Sequence, residues 1–97
     1  MKILVKFYAN LRDQIGGRML VELNLGDTAK IANLLKELCQ DLAIRNALLD
    51  EKHEIKSDIT ILKNGREIKF LDGMETILKD GDEIAIFPLV SGGNQTV

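Results

Sequence analysis

The chain has 97 residues, of which 45% are hydrophobic and 29% are charged, and its formal net charge is −2. These proportions are typical of one small globular domain; they exclude a disordered or fibrous chain and argue against a mainly electrostatic nucleic-acid binder. A single cysteine excludes an intramolecular disulfide framework and cannot by itself build a structural zinc site.

The start of the chain carries two strand patterns separated by a pair of glycines. Residues of opposite polarity alternate over Lys2–Tyr8, which predicts a strand, and the low polarity of both its faces predicts a central position in a sheet. Asn10–Ile15 is long enough for one helical turn. After Gly16-Gly17 the alternation resumes over Arg18–Leu25, which predicts a hairpin with a longer loop.

One apolar stripe predicts the main helix. Gly26-Asp27-Thr28 is a helix-start signal, in which Asp27 or Thr28 accepts from the first free N–H groups. The stripe that follows has spacings of three and four residues and consists of Ile31, Leu34, Leu35, Leu38 and Leu42. We therefore predict a helix of about four turns. Ile44, Ala47 and Leu48 indicate a second, short helical piece before a charged loop.

Strand and turn signals return in the second half of the chain. Ile59 begins a strand that ends at Asn64-Gly65, the dipeptide that favours a type I′ hairpin turn. Glu67–Phe70 is predicted to be the returning strand, and Glu83–Phe87 a final strand ended by Pro88. Further turns are predicted at Asp72-Gly73 and Asp80-Gly81. The order of elements predicts an α+β fold, in which one main helix packs across a mixed sheet of about five strands.

The body of the domain offers little catalytic chemistry. His53 is the only histidine and lies in a charged run, which favours a solvated loop over a general base or a metal ligand. Cys39 lies near a helix C-terminus, where the helix dipole disfavours a thiolate. Asp80, Asp82 and Glu83 lack the further oxygen ligands of a calcium loop, and we interpret them as exposed acids of a turn. No metal site is predicted.

The end of the chain is more informative, because it contains Gly92-Gly93 after the last predicted strand. A frayed terminus is the simplest interpretation. Glycines have no side chains, however, so such a segment can enter a channel too narrow for other residues. Pro88 to Gly93 spans about 20 Å when extended. If this segment enters the active site of another protein, the reactive group is a carboxylate at the end of the chain.

At this point the sequence resembles a known family. Leu78–Gly93 contains Asp-Gly-Asp-Glu, an apolar strand, proline and Gly-Gly in that order, and it resembles the end of the small subunit of molybdopterin synthase. Val5–Arg12, followed by Gly16, is similar to the start of that subunit, and Asn64-Gly65 falls at the family's mid-chain hairpin. The resemblance covers nearly the whole chain and is weakest at Ala43–Ser57. It places the chain among the ubiquitin-like sulfur carriers.

This resemblance implies a fold, a domain organisation and a function. The fold is a ubiquitin-like β-grasp domain over residues 1–90, and a flexible tail over residues 91–97 carries the two glycines. In the family, an E1-like activating enzyme uses ATP to adenylate the terminal glycine carboxylate, and sulfur replaces the adenylate to give a thiocarboxylate. The small subunit then inserts its tail into the large subunit of molybdopterin synthase and donates sulfur to a pterin precursor of the molybdenum or tungsten cofactor. No bound cofactor is implied.

The resemblance also assigns roles to particular residues. Gly93 is the sulfur-bearing residue and Gly92 gives it clearance. Phe87 contributes to the docking surface for the large subunit, and Arg12 matches a family position near that surface. The residues that line the partner's channel are Pro88, Leu89, Val90 and Ser91.

One departure from the family pattern affects these assignments. In the molybdopterin subunit the second glycine is the last residue, whereas Asn94–Val97 follow it here. A carboxylate held in a peptide bond cannot be adenylated, so either a protease removes four residues or the chain has lost this chemistry. The alternatives are a ubiquitin-like protein modifier, a carrier for thiamine or tRNA thiolation, and a non-catalytic β-grasp interaction module.

The sequence also predicts where the protein works. It contains no run of about 18 apolar residues, and Met1–Asn10 lacks the continuous apolar stretch of a signal peptide. We therefore expect a cytoplasmic protein whose partners are the large subunit, the activating enzyme and a processing protease, with no nucleic-acid or membrane partner.

Overall fold

The computed structural model describes residues 1–88, which form a mixed sheet with helices on one face. The strands are β1 (Lys2–Phe7), β2 (Leu20–Asn24), β3 (Ile59–Lys63), β4 (Arg66–Glu67) and β5 (Glu83–Pro88). The helices are α1 (Asn10–Gln14), α2 (Ile31–Leu38) and α3 (Leu42–Leu48), and 3₁₀ turns cover Ile68–Phe70 and Gly73–Glu75. Within this part of the chain, no helix is long and apolar enough to cross a bilayer.

The sheet has the order β2-β1-β5-β3-β4, so the first and last strands of the chain lie side by side in its middle. β1 pairs antiparallel with β2 and parallel with β5, while β5 pairs antiparallel with β3. The predicted central position of the first strand is therefore confirmed. The predicted α+β architecture is also confirmed, with five strands in one sheet.

Alternation along the strands separates a buried face from an open face. On β1, Ile3, Val5 and Phe7 are buried against the helices, and on β5 Ile84 and Ile86 join them. α2 contributes Ile31, Leu34, Leu35 and Leu38 to the same core, and α3 contributes Ile44, Ala47 and Leu48. The opposite side of the sheet, which we call the open face, carries the alternate residues of the strands, and none of the helices within residues 1–88 packs on it.

The predicted four-turn helix is wrong in length, because the chain breaks between α2 and α3. Asp41 caps α3, and its carboxylate accepts hydrogen bonds from the N–H groups of Ala43 (2.9 Å) and Ile44 (3.2 Å). The Arg18 guanidinium donates to the same carboxylate at 2.8 Å and lowers the pKa of Asp41 below its ordinary value. Leu42, the last residue of the predicted stripe, therefore lies at the exposed start of a second helix, with 65% of its surface accessible.

The main helix also starts later than predicted. Lys30 is the N-cap, and its N–H donates to the Asn33 side chain at 2.8 Å, so neither Asp27 nor Thr28 caps the helix. The reason is an isolated bridge between Lys30 and Ile77, beside which the Leu78 N–H donates to the Ala29 carbonyl. This pairing keeps residues 29 and 30 extended.

The Asn-Gly turn is confirmed, but the strand after it is shorter than predicted. Asn64 and Gly65 have φ values of 49° and 87°, the left-handed conformation that favours these residue types. β4 ends at Glu67, because Ile68 turns into a 3₁₀ segment that buries its side chain. The predicted strand Glu67–Phe70 is therefore wrong beyond its first residue.

Asp82 is buried, so our interpretation of the acidic cluster as an exposed turn is wrong at this position. Only 7% of Asp82 is accessible, and its carboxylate accepts hydrogen bonds from Asn64 Nδ2 (2.9 Å) and the Lys79 N–H (2.7 Å). Asn64 in turn accepts from the Glu83 N–H at 2.9 Å. This network fastens the hairpin turn to the start of β5.

Replacing Asp82 by alanine should destabilise the protein by about 2 kcal/mol, because the partly buried hydrogen bonds from the Asn64 side chain and the Lys79 N–H would lose their charged acceptor. The matched control is Asp80→Ala. Asp80 is exposed and accepts from the Lys2 N–H, which water can satisfy after the change. Urea unfolding of both variants checks this, and equal losses of stability would contradict the structural role of Asp82.

Candidate functional site

β5 is the central strand of the sheet, and it is the last element of the described part of the chain. β5 pairs with β1 over Glu83–Ile86 and with β3 over Ile84–Pro88, so that Pro88 lies opposite Ile59. Pro88 has no N–H to donate, and a ladder tends to end at such a residue. Pro88 therefore ends the described part of β5, opposite Ile59 of β3.

An apolar patch lies on the open face at this end of β5. It is a shallow depression of about 430 Å³, which we call the tail-root patch, and its lining consists of Tyr8, Ala9, Leu62, Ala85, Phe87 and Pro88. Its members come from β3, from β5 and from the two residues that follow β1, because β5 lies between β1 and β3. A shallow apolar surface with several aromatic and aliphatic side chains suits protein docking better than enclosure of a small substrate.

Two aromatic rings define the centre of the tail-root patch. The rings of Tyr8 and Phe87 pack edge to face, with centroids 6.3 Å apart and an interplanar angle of 85°. The Tyr8 N–H donates to the Ile86 carbonyl at 3.1 Å, which continues the pairing of β1 with β5. Exposed aromatic side chains of this kind are enriched among the residues that dominate binding energy in protein interfaces.

Charged pairs also lie on the open face. Lys6 lies opposite Ala85 of the patch, and its Nζ lies 2.9 Å from Glu83 Oε1; a second pair, Lys2–Glu22, lies at the far end of β1. Glu83 raises the pKa of Lys6 by hydrogen bonding and by its negative charge. Both pairs are partly exposed, so they contribute little stability, and the Lys6–Glu83 pair gives the apolar patch a polar border.

The residues assigned from the sequence fall into three groups. Phe87 and Pro88 lie in the tail-root patch. Arg12 is half-buried on α1, does not line the patch and forms no ion pair with any described residue. The other assigned residues lie outside the described part of the chain; they are Leu89, Val90, Ser91, Gly92 and Gly93. The predicted boundary between a domain of residues 1–90 and a tail of residues 91–97 also lies there.

Sequence reasoning missed the other four members of the patch, which are Tyr8, Ala9, Leu62 and Ala85. Tyr8 and Ala9 directly follow β1, Leu62 lies in β3 and Ala85 in β5, so they come from three distant parts of the sequence. The alternation of β1 and β5 already placed Tyr8, Ala85 and Phe87 on faces opposite their buried neighbours. The missing information was the parallel pairing of β1 with β5, which brings these positions together.

The lone histidine and cysteine lie elsewhere. Cys39 and His53 both line a groove on the helical side of the molecule. Burial raises the pKa of the Cys39 thiol, against a smaller opposing effect of Arg45, so this group is held in its unreactive form. His53 is exposed in a turn. Residues 1–88 contain no group of three or more His, Cys, Asp or Glu side chains that could hold a metal ion.

Comparison with known proteins decides the family. The model of the ThiS family matches residues 5–93, which is nearly the whole chain. The chain belongs to the ThiS family. The resemblance to ubiquitin-like sulfur carriers is thereby confirmed, and the matched region ends at Gly93.

Three relatives show how this ThiS-family chain compares with named proteins. It is 36% identical to small archaeal modifier protein 3 of Haloferax volcanii over 93 residues, covering 96% of this chain and all of that one. The solution structure of small archaeal modifier protein 1 from Methanosarcina acetivorans has a TM-score of 0.74 at 39% identity, covering 95% and 96% of the two chains.

The structure of a putative molybdopterin converting factor, subunit 1, from Pyrococcus furiosus has a TM-score of 0.72 at 27% identity. The alignment covers 93% of this chain and 99% of that one. The predicted β-grasp fold is confirmed by these ubiquitin-like neighbours. The ThiS-family chain is thus a ubiquitin-like sulfur carrier or modifier, related to proteins with both kinds of name.

Proposed function

We propose that this protein is a sulfur carrier whose reacting group is the Gly93 carboxylate, exposed after the four residues that follow it are removed. The observation that carries the proposal is the position of the tail-root patch. It lies at the end of the strand from which the chain continues, and at most about 20 Å of extended chain separates Pro88 from Gly93. An enzyme that binds the patch can therefore receive Gly93 in its active site.

The first step of the proposed reaction uses an E1-like activating enzyme and ATP. A Gly93 carboxylate oxygen attacks the α-phosphorus of ATP, the bond to pyrophosphate breaks, and an acyl-adenylate forms. A hydrosulfide ion then attacks the acyl carbon, the bond to AMP breaks, and loss of the proton on sulfur gives the thiocarboxylate. ATP is thus a substrate of the partner and not a group held by this chain. Gly92 keeps the approach to the acyl carbon free of side chains.

The proposed destination of the sulfur is a pterin precursor of the molybdenum or tungsten cofactor, bound by the large subunit of molybdopterin synthase. The likeness to the Pyrococcus protein, named as a molybdopterin converting factor subunit, supports this destination. In that complex, the tail-root patch would lie against the large subunit and residues 88–93 would enter its channel. Arg12 is proposed to lie near the same interface, as the family pattern implies.

A second function, protein modification, is favoured by a different observation. Two relatives at 36% and 39% identity, each aligned over at least 95% of this chain, are named small archaeal modifier proteins. Here a lysine amine attacks the activated Gly93 acyl carbon and an isopeptide bond replaces the bond to the leaving group. Both functions share the adenylation step. They differ in the nucleophile that attacks the Gly93 acyl carbon, which is sulfur in the carrier and a lysine amine in the modifier. Delivery of sulfur to thiamine or tRNA would use the same chain end.

The intact mass of the protein isolated from its native cells tests this proposal. We expect a chain that ends at Gly93, with a fraction in which sulfur replaces one carboxylate oxygen. Gly93 joined to lysines of other proteins would establish modification as the function. A mass that corresponds to all 97 residues, unchanged after incubation with the host's activating enzyme and ATP, would contradict the carrier proposal and leave a non-catalytic interaction module.

A further inference from the structure

The groove on the helical side of the molecule has no role in the proposed sulfur chemistry. It is the groove that Cys39 and His53 line, its volume is about 580 Å³, and we call it the helical-side groove. Its apolar lining consists of Ala32, Leu35, Leu49, Ile55 and Met74. It shares no residue with the tail-root patch on the open face, so the two surfaces can be occupied at the same time.

Contacts between distant segments fix the walls of the helical-side groove. Met74 lies in the second 3₁₀ turn, which is joined to the start of α2 by an ion pair between Lys30 Nζ and Glu75 Oε1 at 2.7 Å. Leu49 and Ile55 face each other in an isolated antiparallel bridge. The groove is therefore formed before anything binds it, which lowers the ordering cost of an interaction.

Two cations line this apolar groove. They are Lys36 of α2 and Arg45 of α3, and neither forms an ion pair with a described residue. Burial raises the pKa of the Cys39 thiol and the charge of Arg45 lowers it, which indicates that the guanidinium lies near Cys39. An apolar surface bordered by unpaired cations is typical of an interaction site.

Few acidic groups oppose these cations. Glu54 is the one carboxylate among the described residues that line the groove. Asp50 and Glu51 lie in the adjoining turn, where the Asp50 carboxylate accepts from the N–H groups of Lys52 and Glu54. The lining thus carries an excess of positive charge on a chain whose net charge is −2. Its electrostatic complement is an acidic partner.

We propose that the helical-side groove binds an acidic amphipathic helix of a partner protein, whose aliphatic side chains enter the groove and whose carboxylates pair with Lys36 and Arg45. A helix is favoured over an extended segment, because no described strand lines the groove and Leu49 and Ile55 already pair with each other. An extended segment would gain no ladder of backbone hydrogen bonds there, whereas a helix satisfies its own. This function is additional to sulfur transfer and does not depend on it.

A model peptide tests the proposal with the 97-residue chain. The peptide is a helix of about 16 residues, with leucines at spacings of three and four and glutamates between them. We expect it to shift the backbone amide NMR signals of residues that line the groove, and to bind more weakly as salt is added. Cys39 is the only cysteine, so its alkylation by iodoacetamide gives a second measurement. Peptide at about ten times its Kd should slow this alkylation about tenfold.

Two pairs of variants locate the interaction, each measured by NMR titration. Arg45→Glu should raise the Kd about tenfold, whereas Arg66→Glu makes the same change on an exposed residue outside the groove and should leave the Kd within about twofold. Met74→Asp should also raise the Kd about tenfold. Met19→Asp is its control, because Met19 is exposed and does not line the groove.

Three outcomes would overturn the inference. One is the absence of shifts at the groove with about 1 mM acidic peptide. Another is equal binding of a peptide that has lysines in place of the glutamates, which would exclude charge complementarity. The third is the same shifts on concentrating the protein without peptide, which would mean that a second copy of the chain occupies the groove. None of these measurements requires adenylation, so the proposed function is tested separately.

Discussion

A chain that ends at Gly93 should form an acyl-adenylate with the activating enzyme and ATP, whereas the 97-residue chain should form none. The reason is chemical, because the Gly93 carbonyl of the longer chain is an amide and has no anionic oxygen to attack phosphorus. The difference should therefore be all or none. ATP–pyrophosphate exchange measures the step directly, with intact mass before and after the assay to show that the longer chain was not shortened.

The controls for this experiment separate a free carboxylate from a correctly placed one. A chain that ends at Gly92 has a free carboxylate but is shorter by about 3.3–3.6 Å, so it should lose most of the exchange activity. Gly93→Ala in the chain that ends at position 93 adds a methyl group beside the reacting carbonyl and should also lose most activity. Equal exchange by the 97-residue chain would show that Gly93 is not the reacting residue.

Local signals in the sequence were sufficient for most of the fold. The Asn64-Gly65 dipeptide determines its turn through backbone φ alone, and the alternation in β1 and β5 follows from strand geometry and burial. The two helix boundaries failed for a different reason. The late start of α2 depends on the Lys30–Ile77 bridge, and the break before α3 is reinforced by Arg18, 23 residues away. Contacts with residues far away in the sequence therefore determine where these helices begin and end, and the local apolar pattern does not show them.

The same distinction holds for the candidate site. Phe87 and Pro88 could be named from the family pattern, because they lie in one continuous segment. Tyr8, Leu62 and Ala85 could not be named, because only the sheet order brings them together. Asp82 illustrates the limit of composition arguments, since an acidic residue in a charged turn is buried once Asn64 and Lys79 satisfy its oxygens.

In the proposed carrier, one part of the chain binds the partner enzyme and another part carries the reacting group. The described residues supply a rigid sheet with a docking patch, and the proposed reacting carboxylate lies a few residues beyond Pro88. Recognition of the activating enzyme and of the sulfur acceptor would then use one surface in succession. Under the proposed function, the destination of the sulfur would depend on which partners bind that surface, and the relatives of this chain have names as different as modifier and converting factor.

Replacing Phe87 by aspartate should lower kcat/KM for adenylation about 30- to 1,000-fold in the chain that ends at Gly93. Phe87 lies at the centre of the tail-root patch, and loss of such an aromatic residue typically costs about 2–4 kcal/mol of binding energy. A carboxylate there would also have to lose its hydration on docking. Steady-state kinetics with varied carrier concentration measure the effect, which should appear mainly in KM.

Phe70→Asp is the matched control, because it makes the same chemical change on an exposed ring outside the patch. Phe70 lies in a 3₁₀ turn after β4, and 86% of its surface is accessible. We expect its kcat/KM to stay within about twofold of the parent chain. Equal losses in the two variants at unchanged Tm would mean that the activating enzyme does not bind the tail-root patch. If Phe87→Asp lowers the Tm, Phe87→Leu keeps an apolar side chain and tests the ring alone, with a smaller expected rise in KM.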